Sequence, residues 1–284
     1  MFVGLLLLGG GVAVGAFGSL LGLGGGILIV PFLTLGFGLP LREAVGVSLI
    51  CVIMTSSAAA GVYLERHIAN LRLGMTLELF TALGALAGGS IAFLLDERLL
   101  SLLFGVLLLY VAATMARAKA TEPTLETPPA VELDPGPDPG APAGDAPPSA
   151  LDRLSGDGYA VRNLGRGIVG ATGAGVASAL LGIGGGIIKV PLMHLSMGVP
   201  FRIATATSNM MIGITAAASA VIYVVRGGID PYVAGPTAIG VFLGATAGSR
   251  LAHRVDLRYL RLLFVVVLVY TAIQMLLQGI KGAP

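Results

Sequence analysis

The chain has 284 residues, of which 55% are hydrophobic and only 11% charged, with a mean hydropathy of +0.91 and a net charge of +2. A soluble globular domain carries about 25% charged residues, so the composition excludes one and calls for a lipid bilayer. The one cysteine, Cys51, sits inside an apolar run and excludes both a disulfide framework and a zinc site.

Apolar runs of about 17 to 25 residues are long enough to cross a membrane as helices. In chain order they fall at residues 2–21, 43–64, 73–95, 99–116, 165–181, 203–225, 231–252 and 258–278, and two shorter runs occupy 23–38 and 183–198. The first run lacks a basic flank and has an internal counterpart at 165–181, so it reads as mature structure and not as a signal peptide. Between Thr121 and Asp157 the chain is rich in Pro, Gly, Asp and Glu and nearly free of large apolar residues. Such a segment cannot build a core and is expected to be a flexible linker. The organisation is therefore a first membrane repeat (1–116), a linker (117–164) and a second membrane repeat (165–284).

The two halves match without a gap at a constant offset of 160. Gly22, Gly24, Gly25, Gly26, Pro31, Pro40, Arg42, Ser48, Thr55, Tyr63, Arg66, Gly84, Gly88, Asp96, Phe104, Tyr110 and Met115 each meet the same residue 160 positions later. This is an internal duplication, the construction common in secondary transporters. Loop charge indicates how the copies are oriented. With five segments per half, one side collects Arg66, Arg72, Arg117, Lys119, Arg153, Arg162, Arg166, Arg202, Arg250, Arg254, Arg258 and Arg261, and the other only Arg42, Arg98, Arg226 and Lys281. Cytoplasmic loops carry the excess of basic residues. The expected fold is an all-α polytopic membrane protein of two inverted halves, each with about four full transmembrane helices plus a Gly-broken short or re-entrant helix, about 8–10 segments in all. The linker is then cytoplasmic and both termini lie outside.

The short runs open on GLGGGILIVP (Gly22–Pro31) and GIGGGIIKVP (Gly182–Pro191). A helix of about 16 residues is about 24 Å long, short of a hydrocarbon core of about 30 Å. Each short helix is thus expected to begin inside the membrane, where broken backbone survives only in contact with protein or a watery cavity. Interrupted segments at matching places of two halves point to a transporter's binding site. Because the glycines precede the helix, the free N–H groups and positive dipole end of its N-terminus face inward, an arrangement that favours anions. Gly24, Gly25, Gly26, Gly184, Gly185 and Gly186 are therefore candidate substrate contacts. Close helix packing is the other use of membrane glycines, and GALAG (Gly84–Gly88) and GATAG (Gly244–Gly248) read that way.

Lys189 lies three residues beyond Gly186, and its counterpart in the first copy is Ile29. Helical side chains lean toward the N-terminus, so its ammonium is expected to reach the loop; snorkelling to the surface is the alternative. Ser48 and Ser208, Thr55 and Thr215, and Asn209 add uncharged groups able to hold an oxyanion, although Ser and Thr also bond back to their own helix. Ser56 and Ser57 neighbour them. His194 and Glu78 are the groups suited to carrying a proton, with a packed histidine and a solvated helix-end carboxylate as the plainer readings. No HExxH, GxSxG or paired intramembrane carboxylate is present, so no catalytic residues, enzyme activity, metal or cofactor are expected.

GLGGGILIVP followed by LPLREAVGVSL, and GIGGGIIKVP followed by VPFRIATATSN, resemble the sulfite exporter TauE/SafE family of membrane transport proteins. The resemblance implies export of a small sulfur-containing anion, sulfite or an organosulfonate, across the plasma membrane of a prokaryote. The expected partners are that anion and the lipid bilayer, with no nucleic acid. The reading is a secondary transporter whose facing glycine loops hold the substrate; an anion channel with the loops as filter is the alternative. Moving one charge through 100 mV is worth about 2.3 kcal/mol, so an inside-negative cell expels a dianion without further coupling, and proton coupling is compatible with the same residues.

Overall fold

The computed structural model describes residues 2–20, 26–65, 69–117, 154–155, 159–251 and 257–281, which form ten helices. The first five are α1 (Phe2–Leu20), α2 (Gly26–Phe37), α3 (Leu41–Glu65), α4 (Leu71–Ala92) and α5 (Glu97–Arg117). The second five are α6 (Leu164–Leu181), α7 (Gly186–Pro191, continuing through Leu192–Ser196 as a π-helical turn), α8 (Phe201–Val225), α9 (Pro231–Leu251) and α10 (Leu257–Lys281). The bounds of α3 and α8 differ by the repeat offset of 160. Six of the helices are long and apolar enough to span a membrane, and they turn Leu79, Leu83, Val106, Val221, Val266 and Tyr270 outward. Exposing such side chains to water costs about 25 cal/mol per Å²; against lipid it costs nothing, and a multi-pass membrane protein results.

The two short helices are shorter than the apolar runs suggest. α2 has 12 residues, or about 18 Å of helix. α7 is α-helical to Pro191, which supplies no N–H to the ladder; the Leu192 N–H reaches Ile188 and Lys189, and the next turn widens to π geometry, whereas α2 continues through the equivalent Pro31.

Glycines set the closest helix contacts. Gly240 and Gly244 of α9 lie on the main chain of Leu8 and Val12 in α1, and Gly84 and Gly88 of α4 lie on that of Thr172 and Val176 in α6. A Cβ at any of the four would collide with backbone, so GALAG and GATAG are packing motifs, as expected. α1 runs parallel to α9, and α6 parallel to α4. By contrast, the equivalent helices α3 and α8 run antiparallel: Gly46 sits beside Tyr223, and Ser56 beside Gly213 and Asn209. α5 and α10 are antiparallel too, with Gly105 on Leu276 and Gly279 on Leu102.

The bundle has two chemically different ends. At one, the guanidiniums of Arg42 and Arg226 lie 5.3 and 5.7 Å from the centre of the Phe93 ring, and Arg42 donates to the Leu95 carbonyl at 2.9 Å. A cavity of about 750 Å³ opens there, lined by Thr34, Asp96, Arg98, Ser101 and Gln278 among others. At the opposite end Asn70 caps α4, accepting from the Leu73 N–H at 3.0 Å, and donates to the Leu154 carbonyl and the Tyr159 hydroxyl. Val161 is buried there with Leu73, Leu77, Met193, Met197, Val199 and Met211. Thus the last residues of the expected linker pack against the bundle; residues 118–153 and 156–158 lie outside the described ones.

Replacing Gly88 with Leu is expected to force α4 from α6 and lower the thermal midpoint of the detergent-solubilised protein by several degrees. Gly173→Leu on α6, where nothing lies within 4 Å of an added Cβ, should leave the midpoint within about a degree on the scale of a neutral surface change. Equal midpoints for the two would contradict the packing.

Candidate functional site

In the second glycine motif the backbone takes up conformations that side chains disfavour. Gly182, Gly184 and Gly185 have φ of 68°, 75° and 75°, in the left-handed region that glycine enters at little cost. α6 closes on a bond from the Gly182 N–H to the Ser178 carbonyl (2.8 Å), and α7 starts at Gly186. Of the first motif, Gly24 and Gly25 lie outside the described residues, whereas Gly26 opens α2. The two motifs meet. A Cβ on Gly26 would stand 2.9 Å from the Gly182 carbonyl oxygen, and the Ser48 hydroxyl lies 2.8 Å from that oxygen and 3.1 Å from the Gly26 oxygen. Val52 touches Gly26 and Gly184, while its repeat counterpart Ile212 touches Gly184 and Gly186.

One turn into α7 the chain buries a charge. The Lys189 side chain is 1% exposed, and its ammonium lies 3.3 Å from Glu78 Oε2 on α4, itself 4% exposed. The same ammonium donates to Thr215 Oγ1 on α8, and the Thr215 hydroxyl stands 2.7 Å from Glu78 Oε1 and 3.1 Å from the Met211 carbonyl. Three helices are thus joined by a closed triangle of ammonium, carboxylate and hydroxyl. An ammonium has three protons; two are directed at Glu78 and Thr215, and the third has no acceptor among the described residues.

Two hydroxyls beside this triangle are unused. Ser178 and Ser208 are 0% and 1% exposed, and neither finds a hydrogen-bond partner among the described residues. They flank the glycine turn. A Cβ at Gly185 would lie 3.4 Å from Ser178 Cβ and 3.5 Å from Lys189 Cε, and one at Gly186 would lie 3.7 Å from Ser208 Oγ. A buried hydroxyl left unsatisfied costs about 1–3 kcal/mol, so the two around this turn call for a polar partner, whether water or a ligand.

The remaining candidate residues fall elsewhere. Thr55 bonds back to the Val52 carbonyl at 3.1 Å. Asn209 contributes its backbone carbonyl, which accepts from Ser56 at 2.6 Å. Ser57 is exposed and bonds to the Ile53 carbonyl of its own helix at 2.8 Å. His194 is exposed, with Nδ1 2.9 Å from the Val199 carbonyl and its ring edge-on to Phe201. Among the described residues no group of three or more His, Cys, Asp or Glu is placed to hold a metal ion.

Residues 7–275 match the family model described as Sulfite exporter TauE/SafE. The chain belongs to the TauE/SafE family. Among relatives of this family member, the probable membrane transporter protein YunE of Bacillus subtilis (strain 168) is 24% identical over 286 residues, covering 98% of each chain. A probable membrane transporter protein of Xylella fastidiosa (strain 9a5c) is 28% identical over 251 residues, 88% of this chain and 85% of that one. The probable membrane transporter protein MJ0441 of Methanocaldococcus jannaschii is 24% identical over 282 residues, 94% of this chain and 93% of its own. No solved structure matches the chain. As a TauE/SafE member with relatives named as transporters along its whole length, it is a membrane transporter.

Two features of the site escape a reading of either copy by itself. Glu78 reads as a helix-end carboxylate in sequence, yet it lies on the buried face of α4 against Lys189. Ser178 is not part of either glycine motif. Comparing the two copies position by position would have exposed the pair, because Lys189 replaces Ile29 and Glu78 replaces Ala238, and both apolar counterparts are buried.

Removing one member of a buried ion pair typically costs about 3–5 kcal/mol because the other is left uncompensated. Lys189→Ile is therefore expected to lower the thermal midpoint sharply, and Glu78→Ala in the same chain to restore most of it. Additive losses in the double variant would show that the two charges do not depend on one another.

Proposed function

We propose that the protein is a secondary transporter that exports a small sulfur-containing anion, sulfite or an organosulfonate, across the prokaryotic plasma membrane. The observation that carries this reading is the buried ammonium of Lys189, with one proton unassigned, beside the unpartnered hydroxyls of Ser178 and Ser208 at the Gly184–Gly186 turn. The unassigned proton of the ammonium, two unpartnered hydroxyls and main-chain N–H groups are all donors, and such a set favours an oxyanion. Tetrahedral sulfur oxyanions present several acceptor oxygens on a compact body. Thr215 bridges the ammonium to Glu78 and keeps Lys189 directed at the turn.

The antiparallel run of α3 against α8 and of α5 against α10 supports inverted halves. Such halves carry transport by rocking one unit against the other around a central site. Tight contacts at the centre, where Ile212 lies against Gly184 and Gly186 and Val52 against Gly26, favour a carrier that opens alternately over a channel with a standing pore. The chemistry of the ends supports the orientation: the end bearing Arg42, Arg98 and Arg226 is the poorer in cations, and the linker end is cytoplasmic by the positive-inside rule.

In proteoliposomes, saturable flux and counter-exchange are expected for sulfite, thiosulfate or methanesulfonate, and not for acetate or phosphate. Gly185→Val puts a β-branched residue at φ 75° and is expected to abolish flux with membrane insertion intact. Lys189→Ala should weaken anion binding at least about tenfold, the worth of one charge-assisted hydrogen bond, and more than Lys189→Arg. Normal flux in Gly185→Val, or equal binding in the two lysine variants, would remove those residues from the site.

A further inference from the structure

The Lys189–Glu78 pair poses an electrostatic problem for any transporter of anions. With both partners charged the buried centre is neutral, and an anion placed beside Lys189 would leave one negative charge in excess. Charges without compensation are not sustained in a dry interior. Either the carboxylate leaves, or it loses its charge. Glu78 is held by a rigid helix, with α4 locked on α6 by Gly84 and Gly88, so neutralisation in place is the simpler course.

We propose that Glu78 stands in for the transported anion at Lys189 and takes up a proton each time an anion binds, so that one proton travels with each anion. The inference rests on the transport reading above and adds its coupling. In the empty site the carboxylate balances the ammonium; in the loaded site the anion does so and Glu78 is a neutral acid. For a monoanion such as a sulfonate or hydrogen sulfite, the site has the same charge in both forms.

The hydrogen bonds accommodate both states without moving a side chain. Thr215 Oγ1 lies 2.7 Å from Glu78 Oε1 and 3.1 Å from the Met211 carbonyl oxygen. When Glu78 is ionised, the Thr215 hydroxyl donates to it. When Glu78 is protonated, the hydroxyl can turn its proton to Met211 and accept from the acid instead, while still accepting from Lys189. A valine at position 215 could do neither.

No other titratable side chain competes for this role among the described residues. The elements packed on α4 present Lys189 from α7, Thr215 from α8, and Thr172, Gly175 and Val176 from α6. His194 is exposed and bonded to the Val199 carbonyl, and Arg72 is exposed six residues, nearly two turns, before Glu78. The positions related by the offset of 160 supply a comparison within the chain. Ile29 of the first half and Ala238 of the second stand at the places equivalent to Lys189 and Glu78, and Thr55 at that of Thr215. Both charges are missing together, as expected if neither is useful without the other.

The test uses the full chain in proteoliposomes with a pH-sensitive dye inside and methanesulfonate as the probe, because this anion does not titrate near neutral pH. An inward methanesulfonate gradient is expected to acidify the lumen with one proton per labelled anion. Apparent affinity should tighten by about tenfold for each unit fall in pH above the range where Glu78 titrates, the slope that one linked proton gives. In Glu78→Gln, acidification and slope are both expected to vanish while labelled anion still exchanges. Glu78→Ala with Lys189→Ile, which installs the residues found at the equivalent positions Ala238 and Ile29, is expected to insert and move neither species. Methanesulfonate flux without acidification in the wild type, or an unchanged slope in Glu78→Gln, would overturn the coupling and leave the substrate reading intact. Acidification driven by nitrate but by no sulfur anion would overturn the substrate class and uphold the coupling. Flux of no anion at all would overturn both.

Discussion

A lysine and a glutamate facing each other in the dry centre of a membrane bundle constrain everything around them. Each would cost about 2.5–3.5 kcal/mol to insert alone at mid-membrane by the mildest scale, so neither is kept without the other or without a use. Lys189 and Glu78 come from different halves of the chain, and Thr215 ties both to a third helix. Their meeting requires α4, α7 and α8 to arrive at one depth. That in turn requires α7 to begin inside the bundle, because a full-length helix would carry position 189 elsewhere.

The glycines make this possible in two ways. At Gly182, Gly184 and Gly185 they let the chain turn back through left-handed backbone conformations, and at Gly84, Gly88, Gly240 and Gly244 they let helices touch main chain to main chain. The first use shapes the turn beside Lys189, and the second brings the surrounding helices into close contact. Ser48 joins the two motifs by bonding to the carbonyls of Gly26 and Gly182, whereas its counterpart Ser208 has no partner among the described residues. The same serine, duplicated, is a clamp in one copy and a free donor in the other. Each half supplies one charge of the pair, and the equivalent positions Ile29 and Ala238 are apolar and buried.

Much of this was legible in the sequence, since an apolar run, a break and a gap-free repeat are local signals that survive without knowledge of the fold. They were sufficient for ten segments, for short helices after the glycines and for the packing role of GALAG and GATAG. Contacts across the halves were not legible. Which carboxylate faces Lys189 depends on how α4 packs along α6 and against α8, and periodicity within one helix does not carry that. Ser178 was missed for the same reason: it sits on the helix before the turn and gains its meaning only from the turn folding back over it.

The central claim is that the anion sits at Lys189, between Ser178 and Ser208. Anomalous diffraction from crystals of the full chain grown with selenite, a heavier analogue of sulfite, tests it most directly. A selenium peak within hydrogen-bonding reach of Lys189 Nζ and of the Ser178 and Ser208 hydroxyls is predicted, and it should be absent in Lys189→Ile, Glu78→Ala protein. Selenium found only in the cavity lined by Asp96, Arg98 and Gln278, with none at Lys189, would contradict the account.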